Sequence, residues 1–213
     1  MLANLRSSYL LTICCAILIL ISSCTPILKK LYGIKKPDIE SRESIEKSFR
    51  KWGLDETNVV CVRSDQFLST LRNQGLPDAS IFDHEGKYIE YRQTDTSCNA
   101  GLFQFIPDLQ KGASYKRPDT LSMQALFTRF YMLDGQKAQL PEPADFYVLI
   151  YQTIWTGKLN KDHVKIWEDQ AKANQKAKVK VIKVNLDLQA WWPEEEQKKL
   201  RTLMRNQQSK KRK

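Results

Sequence analysis

Histidine is nearly absent: His84 and His163 are the two in 213 residues. His84 sits in a turn-forming stretch and His163 in the first turn of a candidate helix. Neither shares a zinc-ligand spacing with a cysteine, so the sequence argues against a metal centre. It also lacks the nucleophile-elbow motif GxSxG, the phosphate-binding P-loop and the glycine fingerprint of dinucleotide-binding folds. No cofactor is therefore implied. Glycine and proline number eight each, too few for a Gly/Pro-rich repeat protein, and no internal repeat is evident. The acid pairs Glu142/Asp145 and Glu168/Asp169 read as solvent-facing, and none takes an acid–base role.

Five cysteines are present, and three of them crowd into the first 24 residues. Residues 1–24 have the layout of an export signal, with Arg6 in a short n-region and a nearly uninterrupted apolar run from Tyr9 to Ile21. That run is short for a membrane-spanning helix. It ends in Leu20-Ile21-Ser22-Ser23-Cys24, which resembles the lipobox of bacterial lipoproteins: two small residues precede a cysteine that receives a diacylglyceryl group. The resemblance implies that residues 1–23 are removed and that Cys24 is acylated. An uncleaved amino-terminal anchor is the alternative. Either way the remainder is expected at a membrane surface of the cell envelope, facing the periplasm or the exterior. Cys14 and Cys15 fall in the signal, which leaves Cys61 and Cys98 in the folded part. In an oxidising compartment they could form one disulfide, adding about 4 kcal/mol in the chain-entropy model. Two separate buried thiols are the other reading.

What the chain has in quantity is positive charge and apolar residues. Its formal net charge is +10, and 42% of its residues are hydrophobic. That composition excludes a disordered polymer. The basic excess concentrates between Lys198 and Lys213, a stretch with eight Lys and Arg and no acid. An exported protein rarely meets nucleic acid, so this run reads as a solvated or membrane-facing tail. Lys29, Lys30, Lys35 and Lys36 lie in the expected linker, which reads as a solvated tether, contact with anionic headgroups beside the anchor being the alternative.

The longest apolar run, Phe146 to Tyr151, shows no alternation, as in a strand buried on both faces. Helical spacing at Val164, Trp167 and Ala171 follows, and then the apolar-rich run Val179 to Val184. Strand, helix and strand of these lengths predict a parallel crossover. Earlier, the spacing predicts a helix over 43–52 closed by Gly53, a strand at Val59–Val62 and a helix from Ser64 to Gly75. A hairpin is predicted around Asp83-His84-Glu85-Gly86, from 76–82 to 87–92. A helix is predicted over Leu121–Leu133, stopped by Asp134-Gly135. Asn160 is the expected N-cap of the crossover helix, and Pro193 opens a last helix with Glu194, Glu195 and Glu196 in its first turn and an apolar stripe, Leu200, Leu203 and Met204, expected to pack against the sheet.

The segment Tyr151-Gln152-Thr153-Ile154-Trp155-Thr156-Gly157-Lys158-Leu159 resembles the redox loop of the thioredoxin superfamily, where a buried strand ends in Trp-Cys-Gly-Pro-Cys. Trp155 and Gly157 match. Thr156 and Leu159 stand where the two cysteines belong, and Lys158 replaces the proline. Val184-Asn185-Leu186-Asp187 resembles the end of the family's next strand. Pro77, ahead of a strand, an acidic-Gly turn and another strand, resembles the family's cis-proline. It precedes the loop in sequence, where the family has it after. A permuted strand order, two half-domains and a plain hairpin each account for this.

The resemblance implies a thioredoxin-like α/β fold, a mixed sheet flanked by helices, over residues 41–197. A lipid-anchored linker would occupy 24–40 and a basic tail 198–213. Thiol exchange needs an attacking thiolate and a resolving thiol, which Thr156 and Leu159 cannot supply. The expected function is a non-catalytic module binding a protein or peptide of the envelope. Its candidate binding loop is Trp155, Thr156, Gly157 and Lys158, although Trp155 packed in the core and Lys158 in solvent would account for both residues as well. A thiol-disulfide oxidoreductase using Cys61 and Cys98, or a structural envelope lipoprotein, are the alternatives.

Overall fold

The structure is a computed structural model describing residues 29–92, 94 and 98–210, and side chains as far as Asn206. The expected signal segment and Cys24, the expected acylation site, lie outside the described residues.

Among the described residues, eight strands and six helices follow in chain order: β1 (Ile39–Glu40), α1 (Arg42–Trp52), β2 (Val59–Val62), α2 (Ser64–Asn73), β3 (Asp78–Asp83), β4 (Tyr88–Ile89), α3 (Leu102–Asp108), α4 (Met123–Phe127), β5 (Phe130–Met132), β6 (Phe146–Gln152), α5 (Ile166–Ala173), β7 (Val179–Asn185), β8 (Leu188–Gln189) and α6 (Glu194–Lys210). Six strands make one mixed sheet in the order β4-β3-β6-β7-β2-β5. β6, β7 and β2 run parallel, while β4 and β3 on one side and β5 on the other pair antiparallel. The small pair β1–β8 is parallel and separate from the main sheet. This is the expected class, a mixed α/β sheet flanked by helices, and it is compatible with a thioredoxin-like arrangement.

The crossover forms as the apolar pattern predicts. Seven residues of β6 pair in register with seven of β7, from Phe146↔Val179 to Gln152↔Asn185. Every residue of β6 is buried, because helices cover both faces of the sheet. On one face Val148 and Ile150 meet Ile45 and Phe49 of α1, Leu102 and Ile106 of α3, and Trp167 and Ala171 of α5. On the other, Tyr147, Leu149 and Tyr151 meet Phe67 of α2, Met123 and Phe127 of α4, and Leu200 and Met204 of α6. Side chains alternating from one strand into two cores explain why the run itself carries no polar alternation.

The hairpin β3–β4 belongs to the same sheet as the crossover. β3 pairs antiparallel along β6, Asp78 opposite Tyr151 through Asp83 opposite Phe146. A hairpin earlier in sequence thus lies beside the crossover in space, as a permuted order requires. Its turn is held by Asp83, whose Oδ1 accepts from the backbone N–H of Glu85 and of Lys87 at 3.0 Å each.

Three expectations need correction. The helix predicted over 121–133 stops at Phe127, and Phe130–Met132 becomes the edge strand β5 against β2. The same apolar spacing serves both, and long-range pairing overrides local propensity. The linker expected over 24–40 is built into the fold from Lys29 onward. Ile39 and Glu40 form β1, and Asp38 sits 3.0 Å from Arg201 and 3.4 Å from Arg205. The last helix forms as expected and runs to Lys210, with Leu200 and Met204 of its stripe buried and Leu203 exposed. Asn160 is not a cap: it lies inside a wider, π-helical turn, Asn160–Lys165, that leads into α5.

Candidate functional site

The carboxyl ends of β6 and β7 converge on the loop Thr153–Leu159, where ligands gather in open α/β sheets. Ile154–Thr156 make one tight turn. Gly157 follows at φ +64° and ψ −128°, a conformation that only glycine adopts without strain. Trp155 is half-buried against the second core, Thr156 is buried, and Lys158 is exposed. The Thr156 hydroxyl donates to the Thr153 carbonyl at 2.7 Å, and Asn160 Nδ2 donates to the same carbonyl at 2.8 Å. The Trp and Lys of the candidate loop thus occupy both environments weighed for them, partial packing and solvent.

The pairing of Asp78 with Tyr151 carries Pro77 to this same end of β6. The Leu76–Pro77 peptide is cis.

Beneath the loop lies a buried polar cluster that sequence reading touched only through the Val-Asn-x-Asp match. Asp187 is fully buried. Its Oδ2 accepts from the Ile154 backbone N–H at 2.8 Å and from Asn185 Nδ2 at 2.7 Å. Gln189 Nε2 donates to Asn185 Oδ1 at 2.7 Å and to the Asp187 carbonyl at 2.8 Å. Burial lifts the Asp187 carboxyl to about 7, against the opposing pull of these hydrogen bonds. Both polar atoms of the Gln152 side chain, Asn160 Oδ1, Asp187 Oδ1 and Gln189 Oε1 are buried with no hydrogen-bond partner among the described residues. The signal for this cluster was present, since Gln152, Asn185, Asp187 and Gln189 are polar residues at the ends of apolar strands. Their convergence depends on the crossover closing.

The amino-terminal segment covers this corner. The Lys158 N–H donates to the Tyr32 carbonyl at 2.7 Å, and the Lys35 N–H donates to the Trp155 carbonyl at 2.9 Å. Gly157 lies under this strap so closely that a Cβ there would collide with the carbonyl oxygens of Tyr32 and Gly33. A short turn precedes it, with the Ile34 N–H donating to the Lys29 carbonyl at 2.8 Å. Two main-chain groups of the loop are therefore paired with Tyr32 and Lys35 of the amino-terminal segment.

The two cysteines of the folded part are both free thiols, and the pairing considered for them is not made. Cys61 is buried in β2 and directs its thiol to the carbonyls of Tyr131 and Met132 at 3.4 Å each. Burial pushes that thiol up to about 12, so it supplies no thiolate near neutral pH. Cys98 is exposed beyond β4, with β3, β6 and β7 between β4 and β2. It opens onto a cleft with Tyr91, Arg92, Gln104 and Phe105. There Arg92 is committed to Asp78 at 2.6 Å, and Asp78 also accepts from the Tyr91 hydroxyl at 3.0 Å.

Glu168, expected in solvent, is 1% exposed and accepts from Lys183 Nζ at 2.8 Å, with Lys183 equally buried. Its other oxygen takes the Asp55 N–H at 3.1 Å. Burial pulls the Lys183 ammonium below its ordinary range. A charge pair this deep, with its second oxygen also satisfied, is a structural tie between α5 and β7. Among the described residues no three His, Cys, Asp or Glu side chains converge as a metal site would need, and no helix is long and apolar enough to cross a membrane.

No family model matches this chain, and none of the curated proteins or solved structures compared with it does.

Proposed function

We propose that this chain is a membrane-anchored envelope lipoprotein whose thioredoxin-like domain, without the paired cysteines, binds a protein or peptide through the corner Trp155–Lys158. One observation supports the reading: the Trp155 carbonyl and the Lys158 N–H, on either side of Gly157, take a second chain segment, Tyr32–Lys35, as their partner, and a bound peptide would displace that segment to use the same groups. Backbone pairing of this kind tolerates many side chains in the bound peptide. The corner has no thiol, and the remaining thiols are apart, one of them deep in the core. The anchoring half of the reading rests on the lipobox-like Leu20–Cys24 and on the apolar run before it.

Placing a photoreactive benzoylphenylalanine at position 158 of the full chain in envelope preparations tests the binding half. Adducts with a second protein are expected. Adducts confined to the chain's own residues 29–36 would instead leave a structural lipoprotein with a sealed corner. In the same preparation, insulin reduction with dithiothreitol as donor should stay at background, and measurable turnover would refute the non-catalytic reading.

A further inference from the structure

The tether strap and the loop carry lysines that sequence separates by more than a hundred positions and the fold brings to one end. The backbone bonds Lys158–Tyr32 and Lys35–Trp155 hold residues 29–36 against the loop. Lys30, Lys35 and Lys36 of the strap are exposed, as are Lys158 of the loop and Lys161 of the turn after it. None of the five takes part in an ion pair or other charge contact among the described residues. Asp38, the acid nearest the strap in sequence, is already engaged by Arg201 and Arg205. Asp162 is the acid within the turn itself. Between the lysines Leu31 is 60% exposed, among the most exposed large apolar side chains described. At the opposite end of the parallel strands, Lys111 pairs with Asp145 and Lys176 with Asp108.

The chain before the strap says what this end faces. The apolar run Tyr9–Ile21 ends eight residues before Lys29. Eight extended residues span at most about 28 Å. A chain held in a bilayer at that run, or by acyl groups on Cys24, keeps the strap within that distance of the headgroups. We propose that the face formed by Lys30, Leu31, Lys35, Lys36, Lys158 and Lys161 docks on the anionic lipid surface of the membrane that anchors the chain. Ammonium groups without internal partners meet phosphate headgroups there, and Leu31 enters the interface. Each basic residue near such a surface strengthens attachment about fivefold, and salt screens the effect. Docking would fix the domain with its β6–β7 carboxyl end toward the lipid, so that a partner of the corner is met beside the membrane. The inference goes beyond the peptide-binding reading and rests on the anchoring half of the proposed function.

The test is amine footprinting of the full chain, extracted from membranes and reconstituted into phosphatidylcholine vesicles with and without phosphatidylglycerol. Labelling is read residue by residue by mass spectrometry. With phosphatidylglycerol present, Lys30, Lys35, Lys36, Lys158 and Lys161 are expected to label several-fold more slowly, and high salt should restore the rate. Lys176 and Lys178, at the far end, should label equally in both vesicles. Equal labelling of the five lysines in the two vesicles overturns the proposal, as does protection by neutral lipid alone. Equal protection by soluble phosphate or polyphosphate would make the face a free-phosphate site and overturn it too. Flotation separates this proposal from the anchoring reading. A chain that floats with neutral vesicles without charge-dependent protection keeps the anchor and loses the docking face. A chain that floats only with phosphatidylglycerol keeps the face and loses the anchor. One that floats with neither loses both. The double variant Lys35→Glu/Lys158→Glu, with its circular dichroism unchanged, should lose the phosphatidylglycerol-dependent protection at Lys30, Lys36 and Lys161; persistence of that protection overturns the proposal.

Discussion

Asp187 shows how far a single side chain is governed by its surroundings. It ends the β7 turn with no exposure to solvent to speak of, and its Oδ2 is tied to the Ile154 N–H and to Asn185. Burial raises its carboxyl from an ordinary 3.8 to about 7. The folded state therefore keeps a proton that the unfolded chain has already released. Between those two values the folded state binds more protons, so stability falls as the pH rises and levels off above about 7. Asp187→Asn should abolish that slope. The stability of the wild type relative to the variant should fall by roughly 2–4 kcal/mol between pH 4 and pH 7.5, as read from urea unfolding. A pH-independent difference would mean that the carboxyl titrates normally. Carboxylates held below their usual range, such as Glu43 and Asp145, act in the opposite sense at lower pH, and the comparison with the variant removes their contribution.

At the scale of elements, the strap and the corner are one unit hinged on Gly157. Both its φ and the carbonyls of Tyr32 and Gly33 above it forbid a Cβ. Gly157→Ala should lift the strap while leaving the crossover intact, because β6 and β7 pair independently of it. Stability should fall by about 1–3 kcal/mol. Amide exchange at Lys35 and Lys158 should quicken about tenfold or more, while the amides of β6 keep their protection. If those two amides exchange as before, the strap is held by contacts other than this corner. The short α4 teaches a related point about elements. Ser122 caps it properly, its Oγ accepting from the Ala125 N–H. The helix still ends after Phe127, because Phe130–Met132 gain backbone pairing along β2 that a continued helix would forgo.

Across the whole molecule, the expected tether is a structural part of the domain. A chain beginning at Lys29 retains the strap, β1 and the contacts of Asp38 with α6. A chain beginning at Ser41 loses all three. The longer chain should melt at least about 5 °C higher, and α6 should exchange its amides faster in the shorter one. Equal melting temperatures would return residues 29–40 to the role of a solvated linker. The permuted neighbourhood of β3 and β6 belongs to this scale as well. It brings Pro77 and the loop to one end of the sheet although some eighty positions separate them.

The sequence by itself determined the crossover, the hairpin and the absence of paired thiols in the loop, because each rests on a local pattern: an apolar run, a turn signal, or the identity of residues 156 and 159. Only the tertiary structure decided what those elements touch. It buried Glu168 against Lys183, set Cys61 and Cys98 apart, turned Phe130–Met132 into an edge strand and laid Tyr32–Lys35 over Gly157. The physical reason is common to all four. A charge, a thiol, a short apolar triplet or a tether has the same local sequence whether solvated or packed. Which one is realised depends on partners tens of residues away, whose desolvation and pairing are settled only when the sheet closes.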